Sequence, residues 1–281
     1  MIIPTTLRSP WIRFAAGLAA IAALFGPVLR SLADEWASFP SLSHGFVVPL
    51  ISAYLVWVRR ADLARMAPAP SRGGLVLLGG GLLLYAAGTL ASEPFAGRVA
   101  FLLSVAGGIL FLGGGRVMRV LGPAAGYLAL MIPPPWVTVQ GITDRLRIVE
   151  ATASAWLLPF LGVPVLQEGF LLHLPSMTLE VAEVCSSIPA MLSLLALGAA
   201  FGYVTRRPLA IHLVLIAAAV PLGFGSNIAR IAMTGAGVHY VGPIALQSVL
   251  HTWHGTVVFV MTVFALTLLD SGLMRLRAEP R

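Results

Sequence analysis

The feature that most constrains this chain is a series of apolar runs separated by short charged segments. They fall at about 14–30, 45–58, 73–91, 99–114, 118–132, 188–204, 208–228 and 255–271. Several approach the roughly 20 residues a helix needs to cross a hydrocarbon core of about 30 Å. Inside such a core each backbone N–H and C=O has to find its partner within the protein, and a helix satisfies them within a single segment. Composition agrees, with 58% hydrophobic and 10% charged residues, against about 25% charged in ordinary soluble domains. The expected fold is an all-α polytopic membrane protein with about eight transmembrane helices, forming one domain over residues 1–281.

The first run imitates a signal peptide, since Gly17, Ala19, Ala20 and Ala23 offer small residues. Many further spans follow it, so it reads as an uncleaved first helix. Charge placement then orients the chain. With a cytoplasmic N-terminus, the inner segments hold Arg8, Arg13, Arg59, Arg60, Arg65, Arg72, Arg116, Arg119, Arg206, Arg207, Arg275, Arg277 and Arg281. The outer segments hold only Arg30, Arg98, Arg145, Arg147 and Arg230. That asymmetry is the one that orients membrane proteins, and it accounts for the formal charge of +7 without nucleic acid. The expected location is the inner (cytoplasmic) membrane, with both termini cytoplasmic.

Two outer regions follow from this topology, about 133–187 and 229–254. In the first, 151–166 contains Pro159 and Pro164 and follows a run with Asp144, Arg145, Arg147 and Glu150. It suits an interfacial or re-entrant helix better than a span. From Gly169 to Val181 the residues alternate around Pro175-Ser176, which predicts a small hairpin leading to Cys185.

Cys185 is the chain's one cysteine, so an internal disulfide and a cysteine-based metal cluster are excluded. Ser186 and Ser187 offer N-cap hydroxyls and Pro189 suits a first helical turn. The start of a helix lowers a thiol pKa and favours thiolate. The competing reading is a small apolar filler. Arg230, in SNIARIAMTG, is costly at membrane depth and favours a polar cavity or partner, unless it snorkels to headgroups. Asn227 shares its helical face. His251 and His254 are three residues apart, a spacing that suits either a metal pair or one proton carrier for a cysteine. No third ligand lies near them in the sequence. His44 and His173 read first as interfacial and hairpin residues.

At these residues the sequence resembles the exosortase/archaeosortase family of membrane-embedded cysteine transpeptidases. SHGFVVPLISAYLVWVRR (43–60) is similar to the family's early Ser-His-Gly segment. FLGVPVLQEGFLLHLPSMTLEVAEVCSSI (160–188) resembles the approach to its cysteine. SNIARIAMTG (226–235) has the Asn-x-x-Arg pattern, and VGPIALQSVLHTWHGTVVF (241–259) has the His-x-x-x-Gly pattern. Ser187 and Pro189 stand where the family commonly has Gly and often Arg or Gln.

The resemblance implies catalysis by Cys185, Arg230 and His251. The supporting or substrate-binding candidates are Asn227, His44, Glu183, Ser186 and His254. It implies no cofactor and no metal. The implied partners are the lipid bilayer, exported proteins with a C-terminal sorting signal such as PEP-CTERM, and an acceptor nucleophile. The implied reaction cleaves that signal at the extracytoplasmic face. Two other classes fit the hydropathy alone: a multi-pass transporter or channel, and a non-catalytic envelope or exopolysaccharide assembly protein.

Overall fold

A computed structural model describes residues 10–181, 187–246 and 248–278, with the side chains at 40–41, 136–139 and 248–254 outside the description. The chain divides into two units, Met1–Pro134 and Pro135–Arg281.

The first unit is helical throughout its regular elements: α1 (Pro10–Leu24), α2 (Gly26–Ser38), α3 (Val47–Val58), α4 (Arg60–Ala64), α5 (Gly73–Leu90) and α6 (Pro94–Tyr127). Helices α1 and α2 bend by 65° at the break between them, where Phe25 is fully buried. Small residues let α5 and α6 approach backbone to backbone: a Cβ at Gly74 would meet Phe111 N, and one at Gly107 would meet Leu78 N. Lipid gives no hydrophobic drive for helix association, so such close packing carries it.

Helix α6 turns back on itself at Gly114. Its φ of +78° and ψ of −178° interrupt the helix, a backbone region open essentially to glycine alone. The consequence shows at both ends of the helix. Arg98 pairs with Glu35, while the Trp36 indole donates to the Met131 carbonyl at 3.0 Å. In one unbroken helix, residues 98 and 131 would stand about 50 Å apart. They instead approach neighbouring residues of α2, so the segment 94–131 is two arms. Phe14 packs at the turn, against Val117 and beside Gly113.

The second unit begins with α7 (Trp136–Leu157), followed by a short 3-10 turn, Leu158–Leu161. Three short antiparallel strands follow, in the order β1 (Leu166–Glu168), β2 (Leu171–His173), β3 (Thr178–Glu180). The turn between β2 and β3 contains Pro175-Ser176, closed by Leu174 N–H donating to Met177 O at 2.9 Å. The unit ends with α8 (Ile188–Val204), α9 (Leu209–Val241) and α10 (Ser248–Ala278). Gly198 lies on Leu215 and Gly223 on Met191, so α8 and α9 run antiparallel. Arg207 and Asp270 pair at 2.6 Å where α9 begins and α10 nears its end.

Two expectations change here. The interfacial helix was expected at 151–166, but α7 starts at Trp136 and ends at Leu157. Pro159 and the left-handed Gly162 (φ +75°) belong to the exit from it. The outer connection was expected from residue 229, yet α9 continues to Val241. Only residues 242–247 separate it from α10. IARIAMTGAG is rich in small and polar residues, which imitates a loop. Tertiary packing of Ile231, Thr234, Gly235 and Val238, all buried, keeps it helical.

Four helices among the described residues are long and apolar enough to cross a membrane, and five if the bent α1–α2 pair is one span. Leu42–Val58 and Ile188–Val204 are apolar but shorter. The all-α membrane architecture stands on these helices; the figure of eight crossings is a reading of the sequence.

Candidate active site

The site is built on α7, whose buried face is unusually polar. Thr143, Arg147, Glu150, Ala151, Ser154 and Leu158 are buried, at the three- and four-residue steps that line one side of a helix. This stripe packs on α9 and the strands: Ser154 Oγ donates to Ile228 O at 3.4 Å, and Leu158 lies beside Gly235.

Arg147 holds the end of the hairpin. Its Nε donates to Val181 O at 2.7 Å. Its two remaining nitrogens reach Asp144 at 3.4 Å and Glu180 at 3.5 Å. The guanidinium also lies over the Phe170 ring, 4.3 Å from the centroid. One turn further along α7, Glu150 holds the start of α8. Its Oε1 accepts from Ser187 N–H at 3.1 Å, and its Oε2 accepts from Asn227 Nδ2 at 2.8 Å. Thus the chain is tied to α7 at Val181 and again at Ser187, on either side of residues 182–186.

Glu150, Ser187 and Asn227 are 0%, 0% and 3% exposed. Burial pushes the Glu150 carboxyl up from its ordinary value, because a charged form is penalised away from water. Hydrogen bonds from Ser187 and Asn227 and the charge of Arg230 pull the other way. Ser187 precedes α8 without a side-chain cap; its amide is what the carboxylate takes.

Arg230 follows Asn227 by one turn of α9. Its Nη2 is buried and has no hydrogen-bond partner among the described residues. With Leu179, Glu180, Val181 and Thr234 it lines a cavity of about 100 Å³. Gly255 of α10 faces the arginine stem, with Cδ 3.7 Å from where a Cβ would stand.

A family model described as transmembrane exosortase matches residues 36–268. The chain belongs to the transmembrane exosortase family. No curated protein and no solved structure matches it.

Against this exosortase framework, Asn227 and Arg230 come together on one face of α9, around Glu150 and Ser187. Cys185, Glu183 and Ser186 lie outside the described residues. For His251 and His254 the backbone is helical and the side chains lie outside the description. His251 precedes Gly255 by four residues in α10. His44 belongs to the first unit, in the 3-10 segment Pro40–Phe46. His173 bonds Thr178 at 2.9 Å within the hairpin.

Sequence reasoning missed Glu150 and Arg147 as site residues and counted them only as charges of an amphipathic run. A signal was present: they are three apart, in phase with the apolar Ala151 and Leu158, so they sit on the buried face of the helix.

Proposed function

We propose that this exosortase-family chain is a cysteine peptidase or transpeptidase that removes C-terminal sorting signals from exported proteins. The observation that carries the reading is Arg230: a buried guanidinium nitrogen without a partner among the described residues, beside the two tethers that flank residues 182–186. An unpaired buried donor is costly and is suited to a charge that appears only during reaction.

In this reading the Cys185 thiolate attacks the scissile carbonyl carbon, and the Arg230 guanidinium stabilises the tetrahedral oxyanion. The C–N bond breaks as His251 gives a proton to the leaving amine, which departs with the substrate's transmembrane helix. A thioester on Cys185 remains. His251, now neutral, takes a proton from the acceptor (an amine, a hydroxyl or water) as that acceptor attacks the thioester and releases the thiolate. The site faces the extracytoplasmic side of the inner membrane, with both termini cytoplasmic. A substrate held by its own transmembrane helix meets such a site at the membrane surface. His44, Asn227, Glu183, Ser186 and His254 have supporting roles.

Co-expression with a precursor carrying a sorting signal tests this. Cys185→Ala, Arg230→Ala and His251→Ala are each expected to leave the precursor uncleaved while the protein still inserts. Mass spectrometry of the new C-terminus identifies the acceptor. Full processing by Cys185→Ala refutes the mechanism, and a dead His254→Ala beside an active His251→Ala moves the proton carrier to His254.

A further inference from the structure

Glu150 is a buried titratable group that the proposed chemistry leaves unused, and its geometry gives it a task. Its two carboxylate oxygens face different elements. Oε1 takes the amide of Ser187, two residues after Cys185 in the chain, and Oε2 takes the amide nitrogen of Asn227, one turn before Arg230. One side chain thus bonds both the start of α8 and the middle of α9. A fully buried carboxylate is costly, and an apolar residue of similar size would fill the space without that cost.

We infer that Glu150 is a positioning residue that ties the cysteine-bearing segment to the arginine-bearing helix, fixing the nucleophile relative to the guanidinium. This rests on the proposed roles of Cys185 and Arg230. It adds to them a residue that touches neither substrate nor reacting atoms. Both bonds to Glu150 come from N–H donors, so each oxygen has to accept. A glutamine keeps one acceptor and turns an NH2 group toward the second donor.

The test exchanges the two ends of the Glu150–Asn227 bond. Glu150→Gln leaves two amides facing each other, which stay bonded if Asn227 turns its Oδ1 toward the new NH2, so the breaking variant at this position is Glu150→Leu, which takes away both acceptors. Asn227→Asp leaves two carboxylates in contact. In the double variant, the introduced glutamine accepts from the Ser187 amide and donates to the introduced aspartate, so the tie re-forms with the charge moved to the other helix. The readout is precursor cleavage by monodisperse protein in detergent. Glu150→Leu and Asn227→Asp are each expected to lose about tenfold or more in kcat, the loss of one well-placed hydrogen bond, with KM changed by less than about threefold. The double variant is expected to recover to within about threefold of the starting kcat.

A general folding defect would lower the amount of good protein without a selective loss of kcat, and would not be repaired by moving a charge. Wild-type kcat in Glu150→Leu overturns the inference, as does a double variant no better than Asn227→Asp alone. If Glu150→Leu gives no monodisperse protein, Asn227→Ser breaks the same bond from α9 and is read in its place. Cys185→Ala separates the two levels. Cleavage by that variant removes the proposed reaction itself, whereas an inactive Cys185→Ala beside a fully active Glu150→Leu removes only the role of Glu150.

Discussion

Replacing Arg147 by methionine should loosen the hairpin from α7 without removing any group of the proposed chemistry. The bond from Nε to Val181 O is short, at 2.7 Å, and buried, and a charged donor of that kind contributes about 1.5–3 kcal/mol. The carboxylates of Asp144 and Glu180 are 58% and 59% exposed, so those pairs add less than about 1 kcal/mol. The position over Phe170 adds about 0.5–1 kcal/mol. Methionine returns some packing but leaves the Val181 carbonyl without its donor, for a net loss of about 2–4 kcal/mol. Local opening of the β2–β3 hairpin should then become about 30- to 800-fold more frequent. Hydrogen exchange at Leu174 N–H and Val181 N–H, which donate to Met177 O and Phe170 O, reads this directly. Exchange should accelerate there and stay unchanged in α8 and α9. Protection within about twofold of wild type would refute the tether, and uniform acceleration over the whole unit would show that Arg147 holds more than the hairpin.

Three further perturbations test other parts of the structure. Gly114→Ala forces a side chain into a backbone region that costs about 1–3 kcal/mol and drives a Cβ into Ala69 O. Lost yield of monodisperse protein is expected, and a variant of wild-type thermal midpoint would argue against the reversal of α6. Asp270→Ala leaves the partly buried Arg207 without its 2.6 Å partner, a loss of about 1–3 kcal/mol for a donor left unsatisfied. Its thermal midpoint should fall, and the double Arg207→Leu, Asp270→Leu variant should recover most of it. For Glu150, burial raises the folded pKa above its unfolded value. The folded state therefore holds the proton to higher pH than the unfolded state. The contribution of this group to stability is full below the unfolded pKa and is lost as pH rises through the folded one. The midpoint of Glu150→Gln relative to wild type should climb as pH rises through that window, and a difference independent of pH would contradict the raised value.

The membrane architecture was legible because lipid leaves few options: long apolar runs with charges at their ends fold as helices. The positions of reversal were legible in part. The gap between 114 and 118 marked a turn in α6, where Gly114 has a backbone that only glycine adopts readily. The length of α9 was not legible. Gly235 and Gly237 weaken helix propensity, and a sequence reading favours a loop there. The buried row Ile231, Thr234, Gly235 and Val238 faces α7 and the hairpin core, and contacts of that range are invisible to local pattern.

The candidate site divides along the same line. Asn227 and Arg230 are one turn apart on a single helix, so the sequence pairs them by spacing alone. Glu150 is bonded to residues 37 and 77 positions away, and no periodicity connects those numbers. What the sequence did carry was the phase of α7: a charge at position 150 in register with Ala151, Ser154 and Leu158 is directed inward. An inward carboxylate in a chain with only 11 acidic residues needs donors to offset the loss of water. The amide of Ser187 and the side chain of Asn227 supply them. The physical requirement that a buried charge be satisfied is therefore what joins the segment around Cys185 to the helix of Arg230. It makes Glu150, rather than Cys185, Arg230 or His251, the point at which the assembly of this site can be tested separately from its chemistry.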